Sequence, residues 1–199
     1  MLILDAGDLL FKKYSSPIPE NETKMATEKA KLIIDSLNLM GYDVLATGDD
    51  DLSLGKEFLL EMSRKANFPF LSSNIIDESS AKPLFHASLI KKIDGLRIGI
   101  FSLLAPDTLP NPYDPRRKGL LLRSPTETAQ AMVNELHPHT DLIILLSHLG
   151  YPKDVEMAQT VPGIHLIVGG HTGVNLPYPP VINKSLIVQM GPKGLYGGR

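Results

Sequence analysis

Four short apolar runs of this sequence are each followed closely by a side chain that can ligate a metal ion: Asp8, Asp49, His148 and His171. Glycine adjoins three of these positions, at Gly7, Gly48 and Gly170, where it allows a sharp exit and close backbone approach. Two imidazoles and two carboxylates suit a divalent transition metal such as zinc, manganese or iron. The two carboxylates also neutralise one dication.

The position of these residues at the ends of apolar runs indicates where they would meet. In α/β sheets, ligands bind beyond the carboxyl ends of the strands, because the loops converge there. An Asp that follows a strand is commonly a turn residue or a helix cap, and that alternative holds for each member taken alone. Core packing does not require four separate strands to deliver Asp or His to one edge. The four together therefore predict a shared metal site.

Short β-rich runs alternate with longer helical patterns along the chain, which is typical of an α/β protein. Asp94-Gly95 separates two strand-like runs and predicts a hairpin, so the sheets should be mixed. Helices are expected at 26–40, closed by Gly41, and at 56–66, 125–136 and 153–159. Strands are expected at 2–4, 43–47, 68–72, 83–93, 96–104, 141–146, 164–168 and 186–190.

Composition excludes several other classes of protein. The chain has 199 residues, 43% of them hydrophobic and 21% charged, as expected for one globular domain. A net charge of -2 gives no reason to expect a nucleic-acid or anionic-membrane partner. The absence of cysteine excludes disulfides, thiolate zinc sites and a cysteine nucleophile.

Two other patterns resemble functional sites less well. An EF-hand calcium loop that began at Asp49 would need glycine at the sixth position and glutamate at the twelfth, where the chain has Leu54 and Leu60. The basic run Arg116-Arg117-Lys118 lies in a proline-rich stretch and is expected to be a solvated loop.

The remaining histidines are expected to be structural or exposed. His137 and His139 stand in a polar stretch before a strand and should lie on the surface. His165 falls within a strand-like run and His86 within a hairpin arm, so both are expected to be structural.

Four motifs resemble, in order and spacing, those of the calcineurin-like metallophosphoesterases, and most closely those of the 5'-nucleotidase and UDP-sugar hydrolase branch. They are Asp5-Ala6-Gly7-Asp8, Gly48-Asp49-Asp50-Asp51-Leu52, Ser147-His148-Leu149-Gly150 and Gly169-Gly170-His171-Thr172. The resemblance implies a four-layer α/β/β/α sandwich of two mixed sheets. It also implies that divalent metals activate a water molecule that attacks phosphorus.

The resemblance assigns the residues of one metal position. The bridging aspartate of the family falls on Asp8, and its asparagine ligand falls on Asp49. Its mid-chain histidine falls on His148, and the first histidine of its Gly-His-x-His motif falls on His171. These four residues are the expected metal ligands.

The second metal position of the family has no complete counterpart. The chain contains no Asp-x-His motif, and the second histidine of Gly-His-x-His falls on Gly173. The catalytic histidine of the family falls on Asp50, and its aspartate partner falls on Ser53. We expect one metal per chain, and Asp50 is the candidate catalytic residue. It could transfer a proton, bind a metal, or mark a position where catalysis is relaxed.

Three functional hypotheses follow. The chain is a metal-dependent phosphoester hydrolase with nucleotides among its substrates, a non-catalytic relative that binds metal or nucleotide, or an interaction module that keeps only the fold. No nucleic-acid or membrane partner is expected, and the oligomeric state stays open.

The resemblance also bears on domain organisation and location. Residues 1–199 are expected to form a single metallophosphoesterase-like domain that lacks the first strand and any C-terminal substrate-binding domain. The resemblance implies a periplasmic or extracytoplasmic location, although this chain carries no signal peptide.

Overall fold

The computed structural model describes residues 1–11 and 18–189, which contain four α-helices and twelve strands. In chain order these are β1 (Leu4–Asp5), α1 (Glu20–Met40), β2 (Val44–Ala46), α2 (Gly55–Lys65), β3 (Phe70–Leu71), β4 (Ile75–Asp77), β5 (Lys82–Pro83), β6 (Ser88–Ile93), β7 (Leu96–Leu104), β8 (Leu120–Leu122), α3 (Pro125–Leu136), β9 (Leu142–His148), α4 (Tyr151–Thr160), β10 (Leu166–Gly169), β11 (Val181–Ile182) and β12 (Ser185–Gln189).

The strands form three sheets. The first has the order β1-β2-β3 and is parallel, and a small antiparallel sheet has the order β5-β4-β8. The third is a mixed six-stranded sheet with the order β11-β12-β10-β9-β7-β6. The predicted hairpin is confirmed, because β6 and β7 pair antiparallel on either side of Asp94-Gly95. Two mixed sheets were expected; among the described residues one is parallel, and the small third sheet is additional.

Alternating side chains define the order of the layers. In β2, Leu45 packs into a core with α1 and α2, whereas Val44 and Ala46 belong to a second core. In β9, Leu146 belongs to that second core, and Leu145 packs into a third core with α3 and α4. Since successive side chains of a strand point to opposite faces, the two sheets lie face to face between two pairs of helices. The predicted four-layer α/β/β/α sandwich is therefore confirmed.

Helix α1 begins six residues before the predicted start. Its first turn carries Glu20 and Glu22, which interact favourably with the helix N-terminus and extend the helix beyond its apolar repeat. It ends as predicted at Gly41, whose left-handed backbone (φ 71°) closes the last turn through a hydrogen bond from its N–H to the Asn38 carbonyl.

Several further boundaries differ from the sequence-based expectation, including the predicted strand 83–93, whose main part is observed only at Ser88–Ile93. Strand β9 continues to His148, so this histidine is the last residue of the strand rather than part of the following loop. Helix α4 begins at Tyr151, because Pro152 is well suited to the first turn of a helix. In the last predicted strand, Met190 lies outside the described residues. No helix among the described residues is long and apolar enough to cross a membrane.

The sandwich places the carboxyl ends of four parallel strands close together. β1 and β2 are neighbours in the first sheet, and β9 and β10 are neighbours in the six-stranded sheet. β2 and β9 face each other across the core that contains Val44 and Leu146. The loops that follow these strands therefore converge at one end of the molecule.

Candidate metal centre

Four side chains from four different strand ends meet at this edge. One ligand atom from each lies within 4.8 Å of every other, and the four residues are Asp8, Asp49, His148 and His171. The two carboxylates follow strands of the first sheet, and the two imidazoles belong to strand ends of the six-stranded sheet. The structure thus brings together all four residues that the sequence singled out.

The imidazole of His148 is oriented by hydrogen bonds on both of its nitrogens. It is fully buried, and Nδ1 lies 2.7 Å from the Ala6 carbonyl oxygen. A carbonyl can only accept, so Nδ1 carries a hydrogen and Nε2 faces the cluster. Nε2 lies 3.0 Å from Oδ2 of Asp8 and 3.2 Å from Oδ1 of Asp49. This is the orientation that a metal-ligating histidine takes when a second group fixes its tautomer.

The electrostatics of His148 require a positive charge at this point. Burial lowers the pKa of the imidazole, but the carboxylates of Asp49 and Asp8 outweigh it and hold that pKa well above its usual range. Two carboxylate oxygens around one nitrogen are both acceptors, so a cation must lie between them. That cation is either a proton or a metal ion.

Asp49 connects the two histidines. Its Oδ1 lies 3.2 Å from Nε2 of His148 and 3.4 Å from Nδ1 of His171. Burial raises the pKa of this carboxyl, and the hydrogen bonds with both imidazoles outweigh it and hold the pKa far below its usual range. The two rings are in edge contact, with centroids 5.0 Å apart. The side chain of His171 is 27% exposed, so the cluster opens to solvent on that side.

Two glycines allow the loops to approach this closely. Gly7 has a left-handed backbone (φ 100°), and a Cβ there would lie 2.6 Å from the backbone nitrogen of Gly48. A Cβ at Gly48 would lie 2.3 Å from Oδ1 of Asp8. Any side chain at either position would therefore push the β1 and β2 loops apart.

Asp51 joins the same two loops, a role that sequence reasoning missed. Its buried carboxylate accepts four backbone N–H groups, from Asp8 and Gly48 at Oδ2 and from Leu9 and Leu10 at Oδ1, all at 2.9–3.0 Å. Burial and the neighbouring Asp8 raise the pKa of Asp51 to about 7, against the opposing effect of these N–H donors.

Asp50, the candidate catalytic residue, lies beside the cluster rather than within it. Its side chain is 7% exposed, and its backbone N–H donates to Oδ1 of Asp8 at 2.8 Å. Ser53, at the position of the family's aspartate partner, donates its hydroxyl to the Asp50 backbone carbonyl at 2.6 Å. Ser53 therefore shapes the turn.

Arg116 contradicts the expectation of a solvated basic loop. Its side chain is only 12% exposed, and Nη1 lies 3.7 Å from Oδ2 of Asp49 and 3.6 Å from Oδ1 of Asp50. The expectation failed because the loop turns back at Pro115–Arg117 onto the β2 loop, which no local pattern indicates. The only local signal was an Asp two residues before the arginine, since Asp114 caps this turn.

A buried polar network lies behind His148. Asp154 of α4 accepts a hydrogen bond from the hydroxyl of Ser147 and another, at 2.5 Å, from Nε2 of Gln189. Burial raises the pKa of Asp154 to about 7. The network connects α4 to β9 and β12 directly behind the cluster, and sequence reasoning did not identify it.

The other histidines agree with the expectation only in part. His137 and His139 are exposed, which confirms the surface prediction. Nδ1 of His165 accepts the backbone N–H of Ile143 at 3.0 Å, which is a structural contact. His86 is exposed and lies before β6 rather than within the predicted hairpin arm, and only its backbone makes a structural contact, a bridge to β3.

The residues of the cluster fit a divalent metal ion. Two carboxylate oxygens and two imidazole nitrogens form a donor set typical of zinc, manganese or iron. The tautomer of His148, fixed by the Ala6 carbonyl, and the two glycines that make room for the loops add to this fit.

Known proteins share both the sequence and the fold. A 5'-nucleotidase of Vibrio cholerae is 30% identical over 230 residues, which cover 100% of this chain and 40% of the relative. The chain is therefore a homologue of 5'-nucleotidases and shares their metallophosphoesterase fold. No protein-family model matches the chain.

Two solved structures of Thermus thermophilus extend the comparison with this family. The 5'-nucleotidase precursor has a TM-score of 0.71 at 29% identity, covering 94% of this chain and 39% of that chain. The sulfate thiohydrolase SoxB, in complex with glycerol, has a TM-score of 0.81 at 25% identity, covering 96% of this chain and 33% of that chain. The chain spans two fifths or less of the length of each of these three proteins.

Proposed function

We propose that this chain is the metal-bearing part of a phosphoester hydrolase of 5'-nucleotidase type. The observation that carries the proposal is the meeting of four ligand atoms within 4.8 Å, each from a separate motif. The similarity to 5'-nucleotidases indicates which reaction such a metal cluster would support, namely phosphoester hydrolysis.

The proposed ligands of one divalent ion are Asp8, Asp49, His148 and His171. A bound ion of this kind lowers the pKa of a water molecule and polarises the phosphoryl oxygen that it contacts. The chain's own contribution is to hold the ligands in place: the Ala6 carbonyl keeps Nδ1 of His148 protonated, so Nε2 offers its lone pair. We propose one metal per chain, because Gly173 offers no side chain for a second.

Asp50 is the proposed catalytic residue of the chain. It is the carboxylate beside the cluster that the four-ligand set does not use, and it stands where the family has its catalytic histidine. A proton-transfer role is consistent with its position, since its backbone N–H is held 2.8 Å from the ligand Asp8.

Nucleotides are the proposed substrates, because the similar proteins of Vibrio cholerae and Thermus thermophilus are 5'-nucleotidases. A sulfate ester is a suitable comparison substrate, because the structurally similar SoxB is a sulfate thiohydrolase. We also propose an extracytoplasmic location, because one relative is named a precursor and another is a snake venom 5'-nucleotidase.

The decisive experiment measures phosphate release. Chelator-treated protein is reloaded with Mn²⁺ or Zn²⁺ and incubated with adenosine 5'-monophosphate, p-nitrophenyl phosphate and p-nitrophenyl sulfate. The proposal predicts metal-dependent release of phosphate, little release of sulfate, and loss of activity in the His148→Ala/His171→Ala double variant. Equal rates for the wild type and the double variant would contradict it.

A second function, metal binding without turnover, is favoured by one observation. The positions of the family's catalytic histidine and of one second-metal ligand hold Asp50 and Gly173. This alternative predicts a bound metal with no phosphate release above that of the double variant. The phosphate-release assay described above therefore distinguishes the hydrolase from the non-catalytic metal-binding protein.

A further inference from the structure

Arg116 is held rigidly at the edge of the metal cluster. Its Nη2 and Nε donate to the carboxylate of Asp114 at 2.8 and 3.1 Å, and the same carboxylate caps the turn by accepting the Arg116 backbone N–H at 2.9 Å. A guanidinium held along one edge in this way has its remaining nitrogen aimed in a fixed direction.

The remaining nitrogen, Nη1, points towards the cluster. Its nearest carboxylate oxygens are Oδ1 of Asp50 at 3.6 Å and Oδ2 of Asp49 at 3.7 Å, both beyond hydrogen-bonding distance. Within residues 1–11 and 18–189, no acceptor lies within hydrogen-bonding distance of Nη1. Among the described residues, its two N–H groups therefore have no hydrogen-bond acceptor.

Asp49 places that nitrogen next to the ligand atoms. One carboxylate oxygen, Oδ1, lies between the two histidines, and the other, Oδ2, faces Arg116. Only the width of one carboxylate thus separates the cluster from Nη1. An oxygen of a phosphoryl group that approaches a metal ion in the cluster comes within reach of the guanidinium.

The local charge favours a cationic donor at this position. Asp8, Asp49 and Asp50 are three carboxylates at the site, and one divalent ion neutralises only two of them. A phosphate that approached the metal would meet the negative charge of Asp50, with a repulsion of several kcal/mol at about 4 Å. The cation of Arg116, 3.6 Å from Oδ1 of Asp50, offsets that charge.

We infer that Arg116 is a phosphate-binding residue of this site, whose Nη1 donates to a phosphoryl oxygen of the substrate. This role rests on the proposed function and names the group that recognises the anion. Arg116 reaches the site from the turn Pro115–Arg117, whereas Asp50 begins the turn Asp50–Leu52 after β2.

The test is the binding of inorganic phosphate to Mn²⁺-loaded protein by titration calorimetry at fixed ionic strength. Arg116→Gln should weaken phosphate binding about 10- to 100-fold, as expected for the loss of a charged hydrogen bond. The phosphate affinity of Arg116→Lys should lie between those of the wild type and Arg116→Gln. Lysine keeps the positive charge but loses the bidentate geometry of the guanidinium. Arg117→Gln is the matched control, since Arg117 donates to the Leu109 carbonyl, and it should bind phosphate like the wild type.

Metal affinity distinguishes this role from a structural one. Removal of the Arg116 cation leaves the Asp49 carboxylate more available, so Mn²⁺ should bind Arg116→Gln at least as tightly as the wild type. Loss of Mn²⁺ binding together with phosphate binding would show a structural role and overturn the inference. If the glutamine variant does not fold by circular dichroism, Arg116→Lys provides the same comparison.

The outcomes also separate this inference from the proposed function. Phosphate bound through Arg116 without release of phosphate from a nucleotide would refute the hydrolase and leave the inference standing. Nucleotide hydrolysis with unchanged kcat and KM in Arg116→Gln would refute the inference and leave the hydrolase standing. Absence of phosphate binding by the wild-type protein would also overturn the inference.

Discussion

The two carboxylate oxygens of Asp49 have different partners: Oδ1 contacts both imidazoles of the cluster, and Oδ2 faces Arg116. An asparagine here, the residue that the resemblance assigns to the family at this position, would turn its side-chain NH₂ towards the guanidinium of Arg116, donor to donor. The carboxylate of Asp49 can face the imidazoles and the guanidinium at the same time, because both of its oxygens accept.

His171 is the ligand whose removal should disturb the fold least, because its side chain is 27% exposed. Its replacement by alanine removes one of four donors and should weaken Mn²⁺ binding by more than about 100-fold, above the usual loss for a residue that only supports a ligand. Isothermal titration calorimetry measures this change. His137→Ala, at an exposed histidine outside the cluster, is the control and should leave the affinity as it is.

Asp50 gives a second residue-scale prediction. Asp50→Asn keeps the shape of the side chain but cannot take or give a proton, so kcat for phosphate release should fall at least about 100-fold with Mn²⁺ affinity unchanged. Steady-state kinetics at saturating Mn²⁺ measure this effect. An unchanged kcat would show that Asp50 transfers no proton and marks a position where catalysis is relaxed.

At the scale of single residues, the sequence predicted the four cluster members because each lies within three residues of the end of an apolar strand. It could not predict the contacts of Arg116 with Asp49 and Asp50, or the four hydrogen bonds of Asp51. Both depend on segments that are distant in sequence: the β1 and β2 loops meet because their strands pair in one sheet, and the turn at Pro115–Arg117 reaches the β2 loop only in the folded molecule. A charged residue among prolines has no local signal that distinguishes a buried ion pair from a solvated loop.

At the scale of elements, the loops after β1 and β2 act as one unit because Asp51 accepts N–H groups from both. In Asp51→Asn, an NH₂ group replaces one oxygen and faces two backbone donors. Each buried donor left without an acceptor costs about 1–3 kcal/mol, so the free energy of unfolding should fall by on the order of 3 kcal/mol.

Urea denaturation measures this change. Asp94→Asn is the matched control, because Asp94 is exposed in the turn between β6 and β7 and asparagine is equally suited to that turn. Equal midpoints for the two variants would contradict the assigned role of Asp51.

Element boundaries show where sequence patterns stop being informative. The glycine end of α1 followed from side-chain periodicity and backbone conformation, whereas β9 runs two residues beyond its predicted end. The start of α1 did not, because its first turn is stabilised by acidic residues and carries no apolar repeat. The segment 105–122 has short turns whose positions depend on contacts with α2 and the β2 loop.

At the scale of the whole molecule, the cluster joins the two sheets, since each sheet supplies two of its four side chains. A bound metal should therefore stabilise the entire sandwich. At a free metal concentration of 100 times Kd the gain is about 2.7 kcal/mol. For a domain of this size, that corresponds to a rise in Tm of about 5–10 °C.

Differential scanning calorimetry with and without EDTA measures this shift, and hydrogen exchange locates it. Amides of β2 and of β9 should both gain protection when metal is added, because the two strands belong to different sheets. Protection confined to one sheet would mean that the ion does not bridge them.

The most direct measurement of the central claim is calorimetric titration of Mn²⁺ or Zn²⁺ into chelator-treated protein, for the wild type and for the His148→Ala/His171→Ala double variant. We expect one ion per chain for the wild type and no specific binding for the double variant. Two ions per chain, or binding that survives the loss of both histidines, would contradict the claim that these four side chains form a single metal site.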